Sequence, residues 1–271
     1  MKFYNGIYKS QRDTRDYLAR SFLRYKGLPT KYSLRQKMPI VKNQGPEGSC
    51  AGHAGSYAKE YQEEIDTGKY IRLSPRYIYD LAKKISGHSE GTTLKAICEV
   101  LLKCGICEEK YWSYIPNNPG GRSPKADDNA SKYKILSYAR ITDIDELKQA
   151  IYEDSEIKTA FCGIKLYKGA VGDEAKNTGV TPDPTCWERF SAIGGHALYP
   201  TGWNDFSPYY KNDGHIEFLG SWGEDFGDKG YHYFSYKNLK SNMLDAMAIV
   251  DITGSAKIMT VANLPRGKWW V

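Results

Sequence analysis

No stretch of this 271-residue chain approaches the roughly 18 consecutive apolar residues that a membrane-crossing helix needs. The N-terminus, MKFYNGIYKSQRDTRDY, also lacks the apolar core of a cleavable export signal, which predicts a cytoplasmic protein with no membrane partner. Long runs of like charge are missing too: 38 Lys and Arg are scattered among 32 Asp and Glu, for a net charge of +6. Such a mild and dispersed balance is not a nucleic-acid footprint, and the tyrosines are not grouped as a stacking platform. Internal repeats and low-complexity segments are absent. Cysteines number six, at positions 50, 98, 104, 107, 162 and 186, and without an export signal they are expected as thiols rather than as a disulfide framework. With five histidines in all, few positions can supply a general base or a metal ligand.

What is present divides into helices first and strands second. Residues 1–27 are polar, interleave Arg and Tyr, and read as an extended arm. From Cys50, the residues Ala51, Ala54, Ala58, Tyr61 and Ile65 keep to one helical face until Asp66-Thr67-Gly68 ends the run. "LSPRYIYDLAKKI" starts a second helix with Ser74 as N-cap and Pro75 behind it. "TTLKAICEVLLKCG" is a third, with Leu94, Ile97, Cys98, Leu101 and Leu102 as its stripe and Gly105 after its end. A Pro, Gly and Asn-rich connection over 114–130 precedes a short helix near 143–153. Then come strands: "KTAFCGIKLY", "GGHALYPTGW", "HIEFLGSW", "GYHYFSY" and "AMAIVDI". This order predicts an α+β fold with a cleft where the two halves meet. The unpatterned stretch 168–193 reads equally as a lid or subsite wall, with Trp187 or Phe190 on substrate, and as a surface excursion with one aromatic anchor.

"NQGPEGSCAGHAG" (43–55) places a thiol at the mouth of the first helix. Unpaired N–H groups and the positive end of the helix dipole favour a thiolate there. Acyl transfer further needs donors for the oxyanion of the tetrahedral intermediate. The Cys50 N–H and the side-chain amide of Gln44, held by the turn at Gly45-Pro46, fit that role. The base must come from the histidines. His53 lies one turn along the same helix and reads as a polar core residue, and His88 sits in a Ser/Gly-rich loop as a solvated group or cleft wall. His215 and His232 lie on strands between aromatic neighbours, as hydrogen-bonded structural histidines do. His196 differs: it follows two glycines at a strand start, 146 residues after Cys50. Cys104-x-x-Cys107 closes a helix instead of opening one and reads as buried thiols, and Asp127-Asp128-Asn129 lacks the spacing of a calcium loop. No metal and no cofactor is therefore expected.

Taken together, "NQGPEGSCAGHA", "GGHAL", "GSWGEDFGDKGYHYF" and the extended run "LPTKYSLRQKMPIVKNQG" resemble the motifs of the papain-like (C1) cysteine peptidases, in the style of compact bacterial or phage members. The likeness extends over residues 28–250 and implies a helical half (about 50–130) facing a β-barrel-like half (28–49 and about 131–250), followed by a tail at 251–271. It implies a peptide or protein substrate, Cys50 as nucleophile forming a thioacyl intermediate, His196 as general base and acid, and Gln44 as oxyanion donor. It also puts Trp222 over the histidine, Gly91 near the loop that pairs with substrate backbone, and Ser49 beside the nucleophile in the substrate site.

Three departures accompany the likeness. The family's orienting Asn is replaced by Gly220, which has no side chain to accept the imidazole N–H. Two readings follow: an active enzyme in which a substitute (Asn204, Asn212 or Asp213 being candidates) or a water orients His196, or a catalytically impaired homologue that binds peptides. Ala51-Gly52-His53 trims the bulk found behind the nucleophile in animal and plant enzymes, and Glu47 stands where secreted members carry a disulfide cysteine. The 27-residue arm is too short for the family's inhibitory propeptide, and is expected to pack as part of the mature fold or to act as a short plug.

Overall fold

The computed structural model describes residues 6–188 and 191–250. Phe190, the first five residues of the arm and the 251–271 tail lie outside the described residues.

The first helix, α1 (Cys50–Thr67), is buried from Cys50 through Gln62, which only a helix with small residues on several faces allows. Gly52 and Gly55 let neighbouring helices approach: a Cβ at Gly52 would lie 2.8 Å from the Pro75 carbonyl, and one at Gly55 would lie 2.6 Å from Ile97. α2 (Pro75–Ser86) and α3 (Leu94–Lys103) supply those contacts, and each begins on the hydroxyl cap expected of it, Ser74 accepting from the Tyr77 N–H and Thr93 from the Ala96 N–H. Gly68 ends α1 in the left-handed conformation, φ 68°. Burying α1 also buries charges, and these are paired: Lys42 meets Glu60 at 2.6 Å and Lys59 meets Glu63 at 2.6 Å.

The strand-rich half is an antiparallel sheet. After β1 (Ile7–Tyr8), β2 (Lys31–Ser33) and β3 (Thr92–Thr93) come β4 (Ser137–Arg140), β5 (Ala160–Leu166), β6 (Gly194–Asn204), β7 (His215–Leu219), β8 (Tyr231–Ser235) and β9 (Met243–Val250). Their order is β4-β9-β5-β6-β7-β8, with β2 added against the far end of β6. Among the described residues β4 and β8 do not pair, so the expected barrel-like half is an open sheet. The alternation of Ala160, Cys162, Ile164 and Leu166 points those side chains into one core with Leu198, Ala246 and Phe234. Phe161, Ala197, Tyr199 and Met247, on the other face, join α1–α3 in a second core. Both faces of the sheet are thus covered, where the alternating pattern alone predicts a half-buried strand.

The arm packs as part of this fold. Its Asp16 binds Lys95 of α3 (2.7 Å) and Arg140 of β4 (3.0 Å), and Leu18 bridges to Arg140. Upstream, β1 runs parallel to β3 between the two halves.

Candidate active site

α1 and β6 meet where their chains carry Cys50 and His196. Cys50 opens α1, and the N–H of Ala197, the residue after His196, donates to its sulfur. The N–H groups of Ala51 and of Cys50 itself do the same. These donors favour the thiolate, as a helix N-terminus should. Burial outweighs them: Cys50 is fully buried, and its pKa is pushed up to about 12. Burial in this state thus works against the thiolate that helix position alone favours.

The cover is the arm. A Cβ on Gly6 would overlap the Cys50 sulfur and stand 3.3 Å from the Gly48 carbonyl, so only glycine fits there. The Gly6 N–H donates to the Gly195 carbonyl (3.2 Å), and its carbonyl accepts from the Thr92 N–H (3.3 Å). Ile7, 3% exposed, packs against Gly163 and Gly195, and Tyr8 stacks on His88 with ring centroids 3.8 Å apart. The arm thus lies in the cleft as an extended strand, packed as part of the fold.

His196 sits third on β6 opposite Ile164 and stacks on Trp222, centroids 4.2 Å apart. Trp222 covers the imidazole as expected. Burial first, then His232 and His53, hold the His196 pKa well below its usual range. Its Nε2 is buried and has no hydrogen-bond partner.

At Gly220 the candidate substitutes do not arrive. Asn204 ends β6, eight residues from His196 and hence roughly 26 Å along an extended strand, and its side chain accepts from the Phe206 N–H. Asp213 accepts from the N–H groups of Gly214 and Lys237, and Asn212 is its neighbour in the same β6–β7 loop. The space beside Gly220 belongs to His232 of β8: a Cβ there would overlap its Nε2 and lie 2.7 Å from its Cδ2. His232 lies between Phe226, stacked at 5.2 Å, and the edge of Trp222 at 5.4 Å. Its Nε2 is buried without a hydrogen-bond partner. Sequence offered one clue to it, the glycine in place of a side chain at 220.

Gln44 is held firmly. Its Nε2 donates to the Glu47 carbonyl (2.7 Å) and its Oε1 accepts from the Ser221 hydroxyl (2.6 Å), leaving one amide hydrogen for another acceptor. Gly91, at φ 73°, donates its N–H to the Tyr79 hydroxyl, and it is the next residue, Thr92, that meets the arm's backbone. The Ser49 hydroxyl faces inward, 2.5 Å from the Tyr114 hydroxyl, and not toward the cleft. His53 packs edge-on to Tyr114 and burial lowers its pKa to about 3, in keeping with a core residue. Glu47, in place of a disulfide cysteine, forms a buried ion pair with Arg76 (2.5 Å). All six cysteines are free thiols, with Cys104 and Cys186 exposed. No group of three or more metal-ligating side chains occurs among the described residues, and none of their helices is long and apolar enough to cross a membrane. Trp187 is 82% exposed, so no wall of the cleft is built from it.

Comparison with known proteins agrees with this geometry. The family model described as "Papain family cysteine protease" matches residues 28–251. A peptidase C1-like protein of Acanthamoeba polyphaga mimivirus is 27% identical over 78% of this chain and 70% of its own length. Mouse cathepsin K is 28% identical over 70% of this chain, a match spanning 54% of cathepsin K. Among solved structures, xylellain, a cysteine protease from Xylella fastidiosa, superposes with a TM-score of 0.78 and 27% identity, covering 93% of this chain and 97% of its own. Digestive procathepsin L 3 of Tenebrio molitor superposes with a TM-score of 0.69 at 18% identity, covering 91% and 76%, which speaks for the fold alone.

Proposed function

Because the chain belongs to the papain family of cysteine proteases, we propose that it hydrolyses peptide bonds through a thioester on Cys50, with His196 as base and acid. The observation that carries this reading is the meeting of α1 and β6, where the Ala197 N–H binds the Cys50 sulfur beside a His196 roofed by Trp222. His196 takes the thiol proton, and the thiolate attacks the substrate carbonyl. The oxyanion is received by the Cys50 N–H and the remaining Gln44 amide hydrogen. His196 then returns its proton to the leaving amine, and a water, deprotonated by the same imidazole, releases the acid and the thiol.

The arm supports a peptide as substrate. The cleft already holds an extended backbone through the Thr92 N–H and the Gly195 carbonyl, with an aliphatic side chain against Gly163 and Gly195. Peptides with Ile, Val or Leu for that pocket are the preferred class. In the described state the arm must leave before a substrate reaches Cys50. Free thiols throughout, two of them exposed, support a reducing compartment such as the cytoplasm.

A second reading, a peptide-binding homologue of impaired activity, is favoured by Gly220 and by the elevated thiol pKa. Fluorogenic peptides carrying an aliphatic residue separate the two. Cleavage by the wild type and none by Cys50→Ala supports the peptidase, whereas binding of such peptides with no cleavage at any pH supports the impaired homologue.

A further inference from the structure

The fold leaves two buried imidazoles with an unsatisfied nitrogen each, and both lie against one indole. His196 Nε2 and His232 Nε2 have no hydrogen-bond partner, while Trp222 stacks on the first ring at 4.2 Å and meets the second edge-on at 5.4 Å. A charge on His232 would oppose one on His196. Gly220 makes this possible, because any side chain at that position would occupy the place of the His232 ring. Buried polar atoms are rarely left unpaired, and here one can donate while the other accepts.

We infer that His232 is the positioning residue of this site: its Nε2 lone pair accepts the Nε2–H of His196 and holds the imidazole toward Cys50. This rests on the assignment of Cys50 and His196 made above. His232 is neutral in this role, with its own proton on Nδ1, and no bond is made or broken at it. Hydrogen bonds of this kind are often loose in a resting state and close when charge develops. As His196 takes the Cys50 proton it becomes a cation, and its Nε2–H then becomes a stronger donor to His232. A histidine in place of an amide has one consequence of its own. Protonating His232 would set two N–H groups against each other and turn a support into a repulsion. Burial keeps that from happening near neutrality, lowering the His232 pKa to about 4. The remaining groups that act on the pair are His53 on His196 and Glu90 on Cys50, while Phe226 and Trp222 carry no charge.

The test uses the whole 271-residue chain with nitrogen-15-labelled histidine, and variants at positions 232, 220 and 196. In the wild type the His196 Nε2–H signal should be hydrogen-bonded and slow to exchange; His232→Gln should retain it and His232→Phe should lose it. Turnover should fall by about 100-fold in His232→Phe, the low end of what general acid–base catalysis supplies, and by less than about tenfold in His232→Gln. The acid limb of the wild-type pH profile should contain a proton that His232→Gln lacks. Gly220→Asn alone should lose activity through its overlap with His232, and adding His232→Ala should recover it. An unchanged His196 signal in folded His232→Phe overturns the positioning role whatever the turnover. The peptidase reading is judged separately: if His196→Ala leaves the alkylation rate of Cys50 unaltered, that reading falls by itself.

Discussion

Gly6→Ala is the smallest change that should open the cleft. The arm is held there by two backbone hydrogen bonds of about 1 kcal/mol each and by burial of Ile7, worth about 2 kcal/mol. The Tyr8–His88 stack contributes about another 1 kcal/mol. Together these hold the closed state over the open one by roughly three and a half orders of magnitude, since about 1.4 kcal/mol is a factor of ten. A methyl at position 6 must displace either the Cys50 sulfur, which lies in a packed core, or the Gly48 backbone at 3.3 Å. Overpacking of this kind costs about 1–3 kcal/mol. The open population should therefore rise by about 5- to 150-fold. The assay is mass-spectrometric labelling of Cys50 by iodoacetamide, with exposed Cys104 as internal reference. Labelling should accelerate by that factor in Gly6→Ala while the Cys104 rate stays fixed. Equal Cys50 rates in the two proteins would refute the claim that Gly6 gates the thiol.

Of the six thiols in the native wild type, Cys104 and Cys186 should react fast with a thiol reagent, and Cys98, Cys107 and Cys162 only on unfolding, as peptide mapping would read. Glu47→Gln removes one of the two carboxylates on the buried Arg76 guanidinium, leaving Asp80 at 3.0 Å, and should cost about 1–3 kcal/mol in denaturant unfolding. Burial pushes the Glu47 carboxyl up, but hydrogen bonds from Arg76 and the Asn117 N–H prevail and hold its pKa below the usual range. Its share of the stability is thus fully present above about pH 4.5 and is lost as pH falls through the lowered pKa, so acid titration of wild type and Glu47→Gln should converge at low pH. Gly52→Ala would press a methyl within 2.8 Å of the Pro75 carbonyl and 2.7 Å of Tyr79, and should lower stability by about 1–3 kcal/mol with α1 and α2 forced apart.

The three main helices and five of the strands were legible because their signals are local. Ser74 and Thr93 are caps whose hydroxyls need only the next turn, and Gly68 is a stop whose positive φ needs only its own backbone. β1, β2, β3 and β4 were not legible: each is two to four residues long and exists because a partner strand is present. Asn204, Asn212 and Asp213 looked eligible to orient His196 because sequence records residue type and not distance along a strand. His232 was set aside for the converse reason, since its aromatic neighbours marked it as core and nothing local marked its nitrogen as unpaired.

Sequence by itself determined the family, the α+β order and the identities of the thiol, the amide and the imidazole at their spacing, because those features depend on residue type and local periodicity. Tertiary structure decided what state these groups are in. Helix position argues for a thiolate at Cys50, yet an arm more than forty residues upstream lies on the sulfur and removes the solvent that a charge requires. Gly220 reads as a missing residue in the chain and as an occupied place in the fold, filled by a ring from β8. Burial and packing between distant segments set both outcomes, and neither leaves a local trace.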